Sequence, residues 1–199
     1  MKSVLREELL THLMLTSGLM DQYAKAEPGF VDAVVDWLKS AEQLLQRRRN
    51  SLGSMPATER GRILSVRDGG LDKEHVDPKL PKRKALRVVA ASAMGRVELE
   101  IRQHLMGIEN ELKPFSDKIA QLLALSSKRA PIPLPSGPRE LWLGEVWRGL
   151  AGGETQEMFT FVNASLPLVD RLYLLDSVVS QLLEGAGPTP ENTDQLAPT

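Results

Sequence analysis

The chain has no cysteine, which excludes disulfides, thiol nucleophiles and thiolate metal sites. Aromatic residues make up only 5%, so aliphatic residues and methionine must supply most of the core. No stretch approaches 18 uncharged apolar residues, which argues against a membrane span. A net charge of −1 gives the molecule no overall pull on nucleic acid or acidic membranes. The opening MKSVLREELLTHL carries Glu7 and Glu8 where a signal peptide needs an unbroken apolar segment. A cytoplasmic location is the expectation. Catalytic signatures are also missing. Arg67-Asp68-Gly69-Gly70 lacks the context of a P-loop. No His-Glu-x-x-His occurs, and the serines and histidines define no triad spacing.

What is present is helical patterning. The 199 residues, 42% of them hydrophobic, suffice for one sizeable core or two small ones. From Arg83 to about Leu112 the chain holds no proline. Leu86, Ala90, Ala93, Val97, Ile101, Leu105, Ile108 and Leu112 recur at spacings of three or four. That is one face of a long helix. Val88, Val89, Met94 and Leu99 widen its apolar surface, which fits burial on several sides within one chain or at a dimer interface. Pro114 interrupts the hydrogen-bond ladder, yet Phe115, Ile119, Leu122, Leu123 and Ser126 keep the period. A kink, or a break with immediate restart, is the expectation there. An unbroken run from 82 to 129 would be about 70 Å long, too long for a compact bundle unless a partner covers its end.

Other helices read similarly. Residues 4–24 align Leu5, Leu9, Leu13, Leu19 or Met20 and Tyr23. Residues 28–49 align Phe30, Val34, Trp37, Ala41 and Leu44, with Val31, Leu38 and Leu45 beside them. Pro28 suits the first turn. Residues 50–81 break the pattern, with a short helix TERGRILSV capped by Thr58 and an exposed loop over 65–81. Ala130–Pro138 is a stiff proline-rich spacer. A last long helix runs from Glu154 to Leu183, kinked at Pro167, with Met158, Val162, Leu166, Val169, Leu172, Asp176, Val179 and Leu183 on one face. These readings give an all-α, compact multi-helix bundle of about five or six helices around a long central helix. It forms a single domain over 1–185, with an irregular connection at 50–81 and a flexible tail at 186–199.

Charge is unevenly spread. Residues 39–102 carry 15 Lys/Arg against 8 Asp/Glu. Arg47, Arg48, Arg49, Arg60, Arg62, Arg67, Lys82, Arg83, Lys84 and Arg87 would gather at one end if the second helix finished near the start of the central one. Such a cluster would grip phosphates without reading bases, or receive an acidic protein surface. Arg47–Arg49 also suit the negative end of a helix dipole, whereas Lys82–Lys84 stand at the unfavourable positive end. Asp72, Glu74 and Asp77 are near enough in sequence to compensate them. Arg48-Arg49-Asn50-Ser51 has the form of a basic-directed phosphorylation site.

Two Glu-x-x-x-His pairs, Glu8/His12 and Glu100/His104, each share a helical face and are weak metal candidates. No metal site is favoured, because the Glu-x-x-His pattern of di-iron bundles is missing. No cofactor is implied and no catalytic residue stands out. The favoured reading is a non-catalytic interaction, adaptor or regulatory protein that presents a helical surface with a basic 47–87 region. It would take a protein partner or self-associate. One alternative is a helical protein that binds nucleic acid through phosphate contacts. Another is a metal-binding bundle or an enzyme assembled from dispersed residues.

Overall fold

The computed structural model describes residues 1–70 and 79–185. The fold is all-α, with no strand among those residues. The helices are α1 (Lys2–Ala24), α2 (Phe30–Arg47), α3 (Ser54–Arg67), α4 (Lys82–Arg129), α5 (Arg139–Gly149), α6 (Gln156–Ser165) and α7 (Leu168–Gly185). Short 3-10 turns, Ser51–Gly53 and Gly153–Thr155, lead into α3 and α6. None of the described helices is long and apolar enough to cross a membrane. The chain forms two compact units, Lys2–Glu109 and Asn110 onward, so the boundary falls inside α4.

The first unit is built on the periodicity read from the chain. Ala90, Ala93, Val97, Ile101 and Leu105 of α4 are buried with Leu9, Leu13 and Leu19 of α1. Phe30, Val31, Val34, Trp37, Leu38, Leu44 and Leu45 of α2, and Ile63 and Val66 of α3, complete the core. Val89 and Met94 are buried too, whereas Leu99 is 55% exposed. Cross-helix partners give the directions. Trp37 Nε1 donates to the His12 carbonyl, and Arg48 reaches Glu8, so α1 and α2 are antiparallel. Arg60 on Glu42 and Arg67 on Asp32 make α2 and α3 antiparallel. Arg6 on Glu109 and Arg87 on the Tyr23 carbonyl do the same for α1 and α4. The topology is up-down-up-down, and α2 runs parallel to α4.

The connection over 50–81 is more regular than its composition implies. Its helix begins at Ser54 and has 14 residues. Thr58 lies inside it and donates to the Ser54 carbonyl, so it is not a cap. α3 itself has no side-chain cap; Asn50 caps the 3-10 turn Ser51–Gly53 that leads into it, accepting the Leu52 amide 3.0 Å away. Residues 65–67 are helical; 71–78, with Asp72, Glu74 and Asp77, lie outside the described residues, as does the tail from 186.

Three successive helices end in the same way. The amides of Glu27, Asn50 and Gly70 return to carbonyls five residues back, and those of Ala26, Arg49 and Gly69 to carbonyls three back. This is the Schellman motif, which needs a left-handed residue. Gly69 adopts it freely at φ 103°, but Ala26 (56°) and Arg49 (51°) adopt it with a side chain.

In the second unit α4 contributes Ile119, Leu122 and Leu123 to the buried set. The helix passes Pro114 without interruption, so no break and restart occurs there. Pro114 removes one amide and frees the Asn110 carbonyl; both residues are exposed, so that carbonyl is open to solvent rather than buried unpaired. The last helical run, in contrast, is two helices. α6 ends at Ser165, and Leu166 is extended at ψ 141°, the conformation a following proline imposes. The phase resets after the break. Leu174, Leu175, Val178 and Val179 are buried, while Val169 and Leu183 are exposed. Asp176 leaves the expected apolar face and accepts from Arg139 at 2.7 Å. The Gly152-Gly153 turn has positive φ at both residues, and Arg129 donates to the Gly149, Ala151 and Gly152 carbonyls around it.

Candidate functional site

The basic residues do not gather. The second helix finishes far from the start of the long one, because α3 inserts an extra reversal. Arg47–Arg49 lie at the level of His104, as the 2.7 Å contact between Asn50 Nδ2 and His104 Nε2 shows. Lys82–Lys84 precede His104 by about 20 residues, roughly 30 Å of helix. The two basic groups therefore occupy opposite ends of the first unit.

Most arginines between those ends already hold carboxylates. Arg48 makes a two-pronged contact with Glu8, at 2.7 Å through Nε. That hydrogen bond, more than the attraction of Arg48 and Arg47, holds the Glu8 carboxyl below the usual glutamate range. Arg60 donates to Glu42 at 2.6 Å. Glu59, 9% exposed, accepts Arg96 Nε at 2.9 Å and has Arg62 at 3.8 Å. Arg67 donates to Asp32. Arg87 donates to the Tyr23 carbonyl at the end of α1, and its guanidinium lies 5.2 Å from the Tyr23 ring. It thereby satisfies the negative end of that helix. Arg47, Arg49, Lys82, Arg83 and Lys84 are exposed.

The two Glu/His pairs have separate fates. His12 is 5% exposed and stacks on Trp37, with ring centroids 4.7 Å apart and planes 14° from parallel. Its Nδ1 lies 3.2 Å from Ser40 Oγ, and its Nε2 is buried without a partner. Burial pushes its pKa down, partly opposed by the Trp37 contact. Glu8, one turn earlier, turns to Arg48. His104 Nε2 accepts from Asn50, whose amide orientation is fixed because Oδ1 takes the Leu52 amide. Glu100 is half-buried on α4. The four side chains serve different contacts, and no three His, Asp or Glu residues form a metal-holding group among the described residues.

Several participants escaped the sequence reading: Ser40, Glu42, Glu59, Asn50 and Arg96. Their partners lie 18 to 54 residues away, so no local spacing announces them. One usable signal was Glu59 three residues before Arg62, an interacting separation on a helix. Compared with family models, curated proteins and solved structures, the chain finds no match.

Proposed function

We propose that the chain is a non-catalytic interaction protein that offers the outer face of α4 to a protein partner. The observation that carries this reading is the pair Leu99 and Met106, 55% and 56% exposed. They are seven residues apart and lie on the side of α4 opposite Val97, Ile101 and Leu105. Gly95, one turn before Leu99, is also exposed and has open space beside it. A helix that buries one face and carries large apolar side chains on the other fits a protein that is covered on both sides when engaged. The exposed Glu98–Arg102 pair, Nε to Oε1 2.9 Å, edges this strip with charge.

The proposed partner is a protein with an apolar strip and acidic flanks, which would meet the exposed Arg47 and Arg49 at one end and Lys82–Lys84 at the other. Phosphate gripping has less support, because Arg48, Arg60, Arg67 and Arg96 already neutralise carboxylates and a spread cluster releases fewer counterions together.

The test places a photo-crosslinking residue at Leu99 or, as a control on a different helix, at the exposed Lys39 of α2 in the full chain in its native cells. A discrete protein adduct from position 99, absent from 39 and lost with Met106→Glu, is the expected result. No adduct, together with nucleic-acid retardation that falls steeply with salt and with Arg47→Ala/Arg49→Ala, would overturn it in favour of phosphate binding.

A further inference from the structure

We propose that α1 carries a self-association surface, on which a second copy of this chain docks its own α1 antiparallel to the first. α1 buries Leu9, His12 and Thr16, yet its opposite side is not uniformly polar. Met14 is 77% exposed there, and Leu15, on the flank, 57%. Gly18, one turn after Met14, is exposed too. A glycine weakens a helix interior, and this position does not need one. Its φ is not positive, and a side chain there would meet nothing within 4 Å. Nothing within one copy explains Gly18; between two copies it is a hole facing a knob.

Charge selects the occupant and its direction. Glu7, Met14, Gly18, Asp21 and Lys25 fall within about 60° of one another around the helix, and all are exposed. Lys25 follows the last residue of α1 but stays on the helical path, because its amide returns to the Asp21 carbonyl at 3.0 Å. A parallel pair would set each charge against its own copy, which repels. An antiparallel pair centred on Met14 would set Glu7 against Asp21. With the two-fold axis at the level of Thr16, Met14 meets the second copy's Gly18 and Glu7 meets the second copy's Lys25. The same axis brings the two Leu15 side chains together on one flank. Glu7 already accepts from Arg6 at 2.7 Å, but a carboxylate has acceptor sites to spare for a lysine. Shape and charge agree on one register, so the surface is self-complementary, as a two-fold contact requires. The seam from Glu7 to Lys25 is about 27 Å long. That is a small contact for a specific interface, so the dimer forms in a concentration-dependent way. It uses a different helix from the one offered above to a protein partner, and the two readings stand or fall separately.

The molar mass of the full chain is followed by sedimentation from micromolar to millimolar concentration. The expected result is a reversible rise from the monomer mass toward twice that value. Met14→Glu should abolish the rise. So should Gly18→Gln, which fills the hole while raising helix propensity; circular dichroism checks that both variants remain folded. Glu7→Lys and Lys25→Glu should each weaken association about tenfold, since symmetry repeats every like-charge contact. The double variant should restore it, and Met106→Glu on α4 should leave it unchanged. A mass that stays monomeric, a dimer that survives Met14→Glu or is abolished by Met106→Glu, or swapped charges that fail to restore association would each overturn the proposal.

Discussion

At the scale of single residues, buried polar groups in the first unit are specified by one another. His12 shows this best. Its ring stacks on Trp37, its carbonyl takes the Trp37 indole hydrogen, and Ser40 faces Nδ1. A protonated imidazole would face an apolar core with Nε2 unpartnered. Glu8, one turn before His12 on α1, is occupied with Arg48. The unfolded chain protonates His12 near its ordinary value of 6.5, and the folded chain protonates it lower. Stability from the neutral form is therefore complete above about pH 6.5 and is lost as pH falls toward the folded value. The Glu8 carboxylate, held below its ordinary 4.5, produces a separate loss at lower pH. Urea denaturation between pH 7.5 and 5 should show stability falling with acid in the native chain and a flatter profile in His12→Gln. Equal slopes would remove His12 as the cause.

At the scale of elements, apolar period was the reliable signal. The buried face from Ala90 to Leu112 was legible because one period persists through it. Boundaries were less legible. Thr58 is a cap by residue type, but α3 already begins at Ser54, directly after the 3-10 turn that Asn50 caps, so Thr58 falls inside the helix. The parallel course of α2 and α4 was hidden because TERGRILSV reads as a short helix within a connection, whereas α3 has 14 residues and reverses the chain a full extra time. The two internal prolines diverged for a physical reason. Pro167 follows an extended Leu166, so the helix ends. Pro114 sits where the freed carbonyl meets solvent, so α4 continues with one bond fewer. Pro114→Ala should restore that bond and gain up to about 3 kcal/mol, the propensity difference between the two residues in a helix interior. Thermal melting reads the gain as a raised Tm with more helical signal. A Tm unchanged or lowered would mean that the bond is not recovered.

At the scale of the whole molecule, the long helix serves two cores. A helix of 48 residues is longer than one small bundle needs, and the division at Glu109 assigns its two parts to different cores. Every member of the first core, from Leu9 to Leu105, lies before that division. So do the pairs that fix its directions, including Arg6 with Glu109 at 2.8 Å. Antiparallel neighbours joined in chain order need few distant contacts to form, which favours independent folding. Residues 1–113, which keep one helical turn beyond Glu109, should therefore fold alone. The fragment should unfold cooperatively in urea, with its indole fluorescence and helical signal lost together. A shallow, non-coincident transition would show that the first core depends on residues after 113. If the fragment folds, the Leu99 and Met106 face is preserved in it, and a partner of that face should bind fragment and full chain with the same affinity.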